Sequence, residues 1–262
     1  MNKKEIIEKI TLKKDFSQLP EKDVEIAFNK FDKPCYLDEE KIKLTRDILR
    51  KVFSVFTSKK LLNIKEKDLE WILNKHISTK ERLKYYPEVY EKIFSDFKSL
   101  DKKKVFLFDF GAGINGFSCK YFPIKLNYVG VEGMKQLVDL MNHYFNKNNF
   151  NGKAIQESLF NLNELKEIIL KEKGKKILFL FKVLDSLEML QENYSKEFLK
   201  ELTPLVDMVV ISFATRSLIK KQRFKVNRKW ILDFIEENFD LMEDFEIGNE
   251  RYIKFRSKFK FK

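Results

Sequence analysis

The segment VFLFDFGAGINGF carries an acidic residue, Asp109, to the end of an apolar run and follows it with Gly111, Gly113 and Gly116. Glycines at such a place let the backbone turn sharply and approach a ligand, and the start of a following helix offers N–H groups to an anion. In open α/β sheets, ligands settle beyond the carboxyl ends of the strands. A second acid, Glu132, ends the next apolar run, where a carboxylate can accept both hydroxyls of a ribose. Asp109, Gly111, Gly113 and Glu132 therefore predict a site for a nucleoside cofactor.

Two cofactors are open. The three glycines satisfy G-x-G-x-x-G, the dinucleotide pattern, so an NAD-dependent oxidoreductase is one reading. Asp109 lies immediately before the glycines, as the first-strand acid of a methyltransferase does, and this favours S-adenosylmethionine.

The elements that must hold these residues follow from periodicity. Apolar runs at Val105–Phe108, Tyr128–Val131, Ile177–Phe181 and Met208–Phe213 suit strands buried on both faces. Helical patterns separate them, at Lys135–Phe145 and Tyr194–Leu202 among others, so the strands should pair in parallel in a doubly wound α/β domain. The tail from Tyr252 alternates basic with apolar residues, as a half-exposed strand would. Residues 1–100 read instead as helices. Asp38, Glu39 and Glu40 start one in which Ile42, Leu49, Val52 and Phe56 recur at helical spacing; a second runs from about Glu66 to Lys75. A third begins near Ser78, where Ser78 and Glu81 match the S-x-x-E capping box. The expected organisation is a helical, basic, RNA-binding part over 1–100 and the α/β domain over 101–262.

Composition narrows the partners. The chain has 262 residues, 44% of them apolar, and a net charge of +12, so it can bury a core and favours an anionic partner. Nucleic acid comes first, because basic residues interleave with aromatics. Cys35 and Cys119 stand apart, and His76 and His143 are the only histidines, so neither a disulfide scaffold nor a metal site is expected. No apolar stretch reaches membrane-spanning length and the opening residues lack a secretion signal; a cytoplasmic monomer is expected. From Arg216 to Trp230 the chain holds Arg216, Lys220, Lys221, Arg223, Lys225, Arg228 and Lys229 without an acid, a candidate clamp for an RNA backbone. Phe213 and Trp230 are candidate stacking surfaces for a base.

Three stretches together resemble one family, the methyltransferases of small-subunit ribosomal RNA that modify guanine N7 and confer aminoglycoside resistance. HISTKERL, His76 to Leu83, is similar to the family's H-x-S-T-x-E-R-L; DFGAGINGF, Asp109 to Phe117, to D-x-x-C-G-L-N-P; VVISFATRSL, Val209 to Leu218, to V-S-F-P-T-R-S-L. LFLFKVLDSLE, Leu178 to Glu188, and GNERYI, Gly248 to Ile253, agree more weakly. Ala112, Gly116 and Ala214 depart from the family's Cys, Pro and Pro.

The resemblance implies a Rossmann-like S-adenosylmethionine-dependent methyltransferase fold: a mostly parallel seven-stranded sheet with an antiparallel C-terminal strand, behind a helical N-terminal subdomain. It implies methylation of 16S rRNA at a guanine N7 of the decoding region, in the assembled small subunit. Arg82 would reach the methionine carboxylate of the donor, Gly111 and Gly113 would pass beneath it, and Glu132 would hold its ribose. Glu157 and Ser158 would lie near the adenine. Lys182, Thr215, Arg216 and Ser217 would position the target base, with no general base required. A non-catalytic RNA-binding factor on the same fold is the remaining alternative.

Overall fold

The computed structural model describes residues 1–13, 15–54, 68–97, 105–216 and 228–258. Seven strands form one sheet: β1 (Val105–Phe110), β2 (Asn127–Glu132), β3 (Gly152–Gln156), β4 (Lys175–Phe181), β5 (Met208–Ala214), β6 (Phe239–Ile247) and β7 (Glu250–Ser257). Their order is β3-β2-β1-β4-β5-β7-β6. β1 to β5 run parallel, and β7 lies antiparallel to both β5 and β6. β1, β4 and β5 are the central strands, and their side chains are buried on both faces, which is why each reads as a continuous apolar run. The architecture is the expected Rossmann-like one.

The tail departs from expectation. β7 is not half-exposed: Tyr252, Ile253, Lys254 and Phe255 are all buried, because the hairpin strand β6 covers the edge that β7 would otherwise present. Tyr252 stacks on Phe245 with ring centroids 5.2 Å apart, and the Lys254 ammonium meets Asp96 at 2.7 Å. A basic–aromatic alternation is thus compatible with an internal strand when each lysine stem lies on apolar surface and its head finds an acid.

Helices α7 (Lys135–Lys147), α8 (Leu162–Leu170), α9 (Leu184–Leu190), α10 (Tyr194–Leu202) and α11 (Lys229–Asn238) connect the strands. α10 illustrates the physics: Tyr194, Phe198, Leu199 and Leu202 recur on one buried stripe while Lys196, Lys200 and Glu201 stay toward water.

The helical part comprises α1 (Lys3–Thr11), α2 (Glu21–Asn29), α3 (Asp38–Leu49), α4 (Leu69–Leu73), α5 (Ile77–Arg82) and α6 (Tyr86–Ile93). Its buried residues, Ile10, Phe16, Val24 and Phe28 among them, join those of the sheet in one continuous cluster. Two attachments position the site. Gln18 O, just before α2, accepts from the Lys135 N–H and from Gln156 Nε2, so the loop into α2 lies over the ends of β2 and β3. Tyr90 of α6 and Phe94, at its C-cap, pack their rings on Phe179 of β4.

The capping box at Ser78 is not formed. His76 occupies the N-cap of α5 in an extended conformation, and Ser78 is buried one residue inside the helix. The Thr79 hydroxyl instead donates to Leu73 O and His76 O, clamping the end of α4 to the start of α5. Glu81 is drawn away to Lys182.

Phe198 is fully buried. Phe198→Ala should cost about 3–5 kcal/mol, read as a lowered midpoint in urea with an unchanged slope.

Candidate functional site

The carboxyl ends of β1, β2 and β4 face two adjoining cavities. The larger is open to solvent, spans about 760 Å³ including its mouth, and is walled by Gly111, Gly113, Glu132, Gly133, Glu157, Phe181 and Val183 from the sheet ends, by Leu187 and Leu190 of α9, and by Asp23, Phe53 and His76. The smaller encloses about 260 Å³ and reaches Thr79, Arg82, Asp109, Ala112 and Asn115. His76, Ser78, Gly111 and Phe181 belong to both walls. The space suits a small organic ligand with a bulky end and a narrow end.

The glycine turn is built as its residue types require. Gly111 and Gly113 adopt φ of +71° and +55°, a region unfavourable to other residues. A Cβ on Gly113 would fall 2.9 Å from His76 Nε2, and one on Gly111 would fall 2.5 Å from a Val183 methyl. The Gly111 and Ala112 N–H groups both donate to Val131 O, and the Gly113 N–H donates to Glu132 Oε2 at 2.8 Å. Glu132 Oε1 accepts from the Met134 N–H at 2.9 Å. Burial pushes the Glu132 carboxyl up, and these N–H donors oppose it.

This geometry removes the basis of the dinucleotide reading. After Gly113 the chain winds as a 3₁₀ segment, Asn115–Tyr121, rather than entering an α-helix, and the Gly113 N–H is committed to Glu132. The expected row of free N–H groups for a pyrophosphate is not assembled there.

Asp109 accepts from Asn115 Nδ2 and Tyr128 Oη, each at 2.8 Å. Burial raises its carboxyl to about 6, against these donors. Asn115 is a hub that no motif argument singled out: its Oδ1 accepts from Arg82 Nη1 at 3.2 Å and Tyr86 Oη at 2.8 Å.

Arg82 is 3% exposed. Its Nε donates to both oxygens of Glu250 at 3.0 Å and its guanidinium lies over the Phe181 ring, while Nη2 has no acceptor among the described residues. Burial alone would raise the Glu250 carboxyl, but Arg82, Lys182 and the Ser212 hydroxyl hold it below the usual range. Lys182 has a left-handed backbone, φ +60°, and its ammonium lies 2.5 Å from Glu81 and 3.1 Å from Glu250. The lysine lines the larger cavity with its head spent on two acids. Arg82 reaches the narrow end, with His76 on the wall common to both cavities and Lys182 on the wall of the larger one. Burial first, then Arg82 and Lys182, lowers His76 to about 3, so it is neutral.

At the other end three acids converge. Glu157 Oε1 accepts from the Ser158 N–H and from Asn161 Nδ2. Ser158 itself lines neither cavity: it is fully buried, and its hydroxyl donates to Asp23 Oδ1 at 2.9 Å. Asp23, from α2, is the residue that sequence reasoning missed at this end, hidden within a charged helical stretch. Burial raises its carboxyl to about 7, helped by Glu132 and Glu157 and opposed by Ser158.

The expected substrate face is only partly assembled. Thr215 donates to Glu246, and Arg216 is exposed; neither lines a cavity. Arg228 is not a free RNA contact: its guanidinium pairs with Asp185 at 2.7 Å, donates to Ala214 O and covers the Phe213 ring. Phe213 is buried in the core and offers no stacking surface, whereas Trp230 is half-exposed and Lys229 exposed. Ser217, Lys220, Lys221, Arg223 and Lys225 lie outside the described residues.

Known proteins extend this picture. No protein-family model matches the chain. A curated 16S rRNA (guanine(1405)-N(7))-methyltransferase of Proteus mirabilis is 25% identical over 196 residues, a match spanning 70% of this chain and 63% of that protein. Among solved structures, the 16S rRNA methyltransferase RmtF in complex with S-adenosyl-L-homocysteine has a TM-score of 0.78 over 98% of this chain and 100% of its own, at 18% identity. The 16S rRNA methylase RmtB has a TM-score of 0.75 over 98% of this chain and 99% of its own, also at 18% identity. The chain resembles the 16S rRNA methylases in sequence and in fold. Its fold is the Rossmann-like methyltransferase fold.

Two substitutions probe the site's electrostatics. Arg82→Ala would leave Glu250 buried beside one remaining cation, Lys182, and should cost about 3–5 kcal/mol, seen as a lowered denaturation midpoint. Asp23 has a raised folded-state pKa, so it penalises folding once the unfolded chain has deprotonated near 3.8, and the penalty is complete above about 7. Asp23→Asn should therefore melt several degrees above the parent at pH 8, with the difference vanishing as pH falls toward 4.

Proposed function

We propose that the protein is an S-adenosylmethionine-dependent methyltransferase that modifies a guanine N7 of 16S ribosomal RNA, with aminoglycoside resistance as its consequence. The observation that carries this reading is the pair of joined cavities at the strand ends, with Glu132 at the broad end and Arg82 at the narrow one, on the fold shared with RmtF and RmtB. The resemblance of three motifs in order supports the same substrate class.

The donor set suits S-adenosylmethionine. Glu132, held by two backbone N–H groups, keeps lone pairs for ribose hydroxyls. Arg82 keeps Nη2 for a carboxylate, and Glu250 and Asn115 fix the plane of its guanidinium. Gly111 and Gly113 let the ligand pass against bare backbone. When bound, the cofactor supplies an electrophilic methyl group on a sulfonium.

Guanine N7 carries a lone pair and no proton, so the residues need not remove one. Their work is alignment of nucleophile, methyl carbon and leaving sulfur, an effect of about 7–11 kcal/mol when orientation is complete. A neutral His76 on the wall common to both cavities spares a sulfonium the repulsion of a further cation. Outside the cavities, Arg216 and Lys229 are exposed on either side of the basic sequence 217–227, a placement suited to RNA phosphates.

Small subunits incubated with labelled donor should acquire label at a guanine N7 on mapping, and calorimetry should detect donor binding to the free protein. Absence of donor binding would overturn the methyltransferase reading; label at another position would overturn the target. Glu132→Ala should weaken donor affinity at least about tenfold. Arg216→Ala should leave donor affinity unchanged and slow methylation.

A further inference from the structure

Asp23 lies outside the sheet on α2, yet it forms part of the wall of the larger cavity. It is 2% exposed, and its two oxygens are treated differently. Oδ1 accepts from Ser158 Oγ at 2.9 Å. Oδ2 receives a hydrogen bond from no described residue and lies 3.6 Å from where a Cβ on Gly133 would stand, at the end of β2. Oδ2 is not sealed from solvent: it opens onto the cavity, where water or the N–H or O–H of a ligand can reach it.

Of the three acids at this end, Asp23 is the one left in need of such a donor. Both oxygens of Glu132 already accept backbone N–H groups. Glu157 is only half-buried, so water can serve it, and its Oε1 accepts two protein donors. Asp23 is also anchored from outside the sheet: Gln18 O, five residues earlier, accepts from Lys135 and Gln156, which fixes the entry to α2 over β2 and β3. An acceptor held this rigidly can discriminate between ligands that differ in one donor.

We propose that Asp23 reads the exocyclic amino group of the donor's purine, so that an N-terminal helix supplies the specificity for adenine. This rests on the donor reading given above, which places a ribose on Glu132 and hence the base beyond it, toward Gly133 and Asp23. A 6-amino group offers N–H donors to Oδ2. To the deprotonated carboxylate, above about pH 7, a 6-oxo group presents an acceptor, and two facing acceptors repel.

The test compares S-adenosylhomocysteine with S-inosylhomocysteine by calorimetry on the full chain at about pH 8, where Asp23 is ionised. The parent protein should bind the adenosyl compound at least about a hundredfold more tightly. Asp23→Ala should cut that ratio below about tenfold through loss of adenosyl affinity. Asp23→Asn, which keeps the side chain's shape, should also narrow the ratio, because its amide can turn an N–H toward the 6-oxo group. Glu157→Gln should leave the ratio intact. Equal weakening of both compounds by the Asp23 variants, or loss of the ratio in Glu157→Gln alone, overturns the proposal while the donor reading stands. A parent protein that binds neither compound overturns both.

Discussion

The buried pair of Arg82 and Glu250 is the constraint from which the rest of the site follows. A guanidinium and a carboxylate taken out of water each cost several kcal/mol, and the cost is offset only by close pairing with every remaining donor and acceptor satisfied. Here the satisfaction is shared among distant parts of the chain. Arg82 ends α5, Glu250 begins β7, Ser212 lies on β5, Lys182 follows β4, and Asn115 follows the glycine turn. None of these elements can shift without leaving a charge exposed to apolar surroundings. The helical part and the C-terminal hairpin are thereby locked to the strand ends, and the narrow cavity is held open beside them.

The consequence is a polarity along the cleft. The narrow end holds Arg82 and Asp109, the broad end Asp23, Glu132 and Glu157 with an already paired Lys182 on its wall, and the neutral imidazole of His76 borders both, with apolar side chains of β4 and α9 between. Such an arrangement orients a ligand that carries a carboxylate at one extremity and hydroxyl and amino donors at the opposite one. The bond between the Gly113 N–H and Glu132 fastens the turn that admits the ligand to the acid that would hold it. The same bond excludes the row of N–H groups that a pyrophosphate would need.

α2 adds a wall that a bare α/β sheet does not have. Its entry is bonded across β2 and β3, and Phe53 and Asp23 close the cleft from that side. A polar helical segment read only as a surface for RNA therefore also shapes the cofactor end.

Strand runs, the acids ending β1 and β2 and the glycine turn were legible in the sequence because each is local: apolar continuity marks a strand buried on both faces, and a turn with φ above zero favours glycine. Asp109, Gly111, Gly113 and Glu132 lie at the cavities for that reason, whereas Arg82 and Glu157, which also lie there, were implied by the family resemblance. What lay beyond the sequence were the partnerships across long separations. Nothing local tells that Glu250 sits on Arg82, that Lys182 and Arg228 are already paired, that Lys254 can be interior, or that Asp23 crosses to Ser158. The sequence by itself determined which residue types would line the ends of the strands, since backbone geometry and burial select them one by one. Only the tertiary structure decided which charges are spent on one another and which are left for a ligand, because pairing energy depends on distances that chain order does not encode.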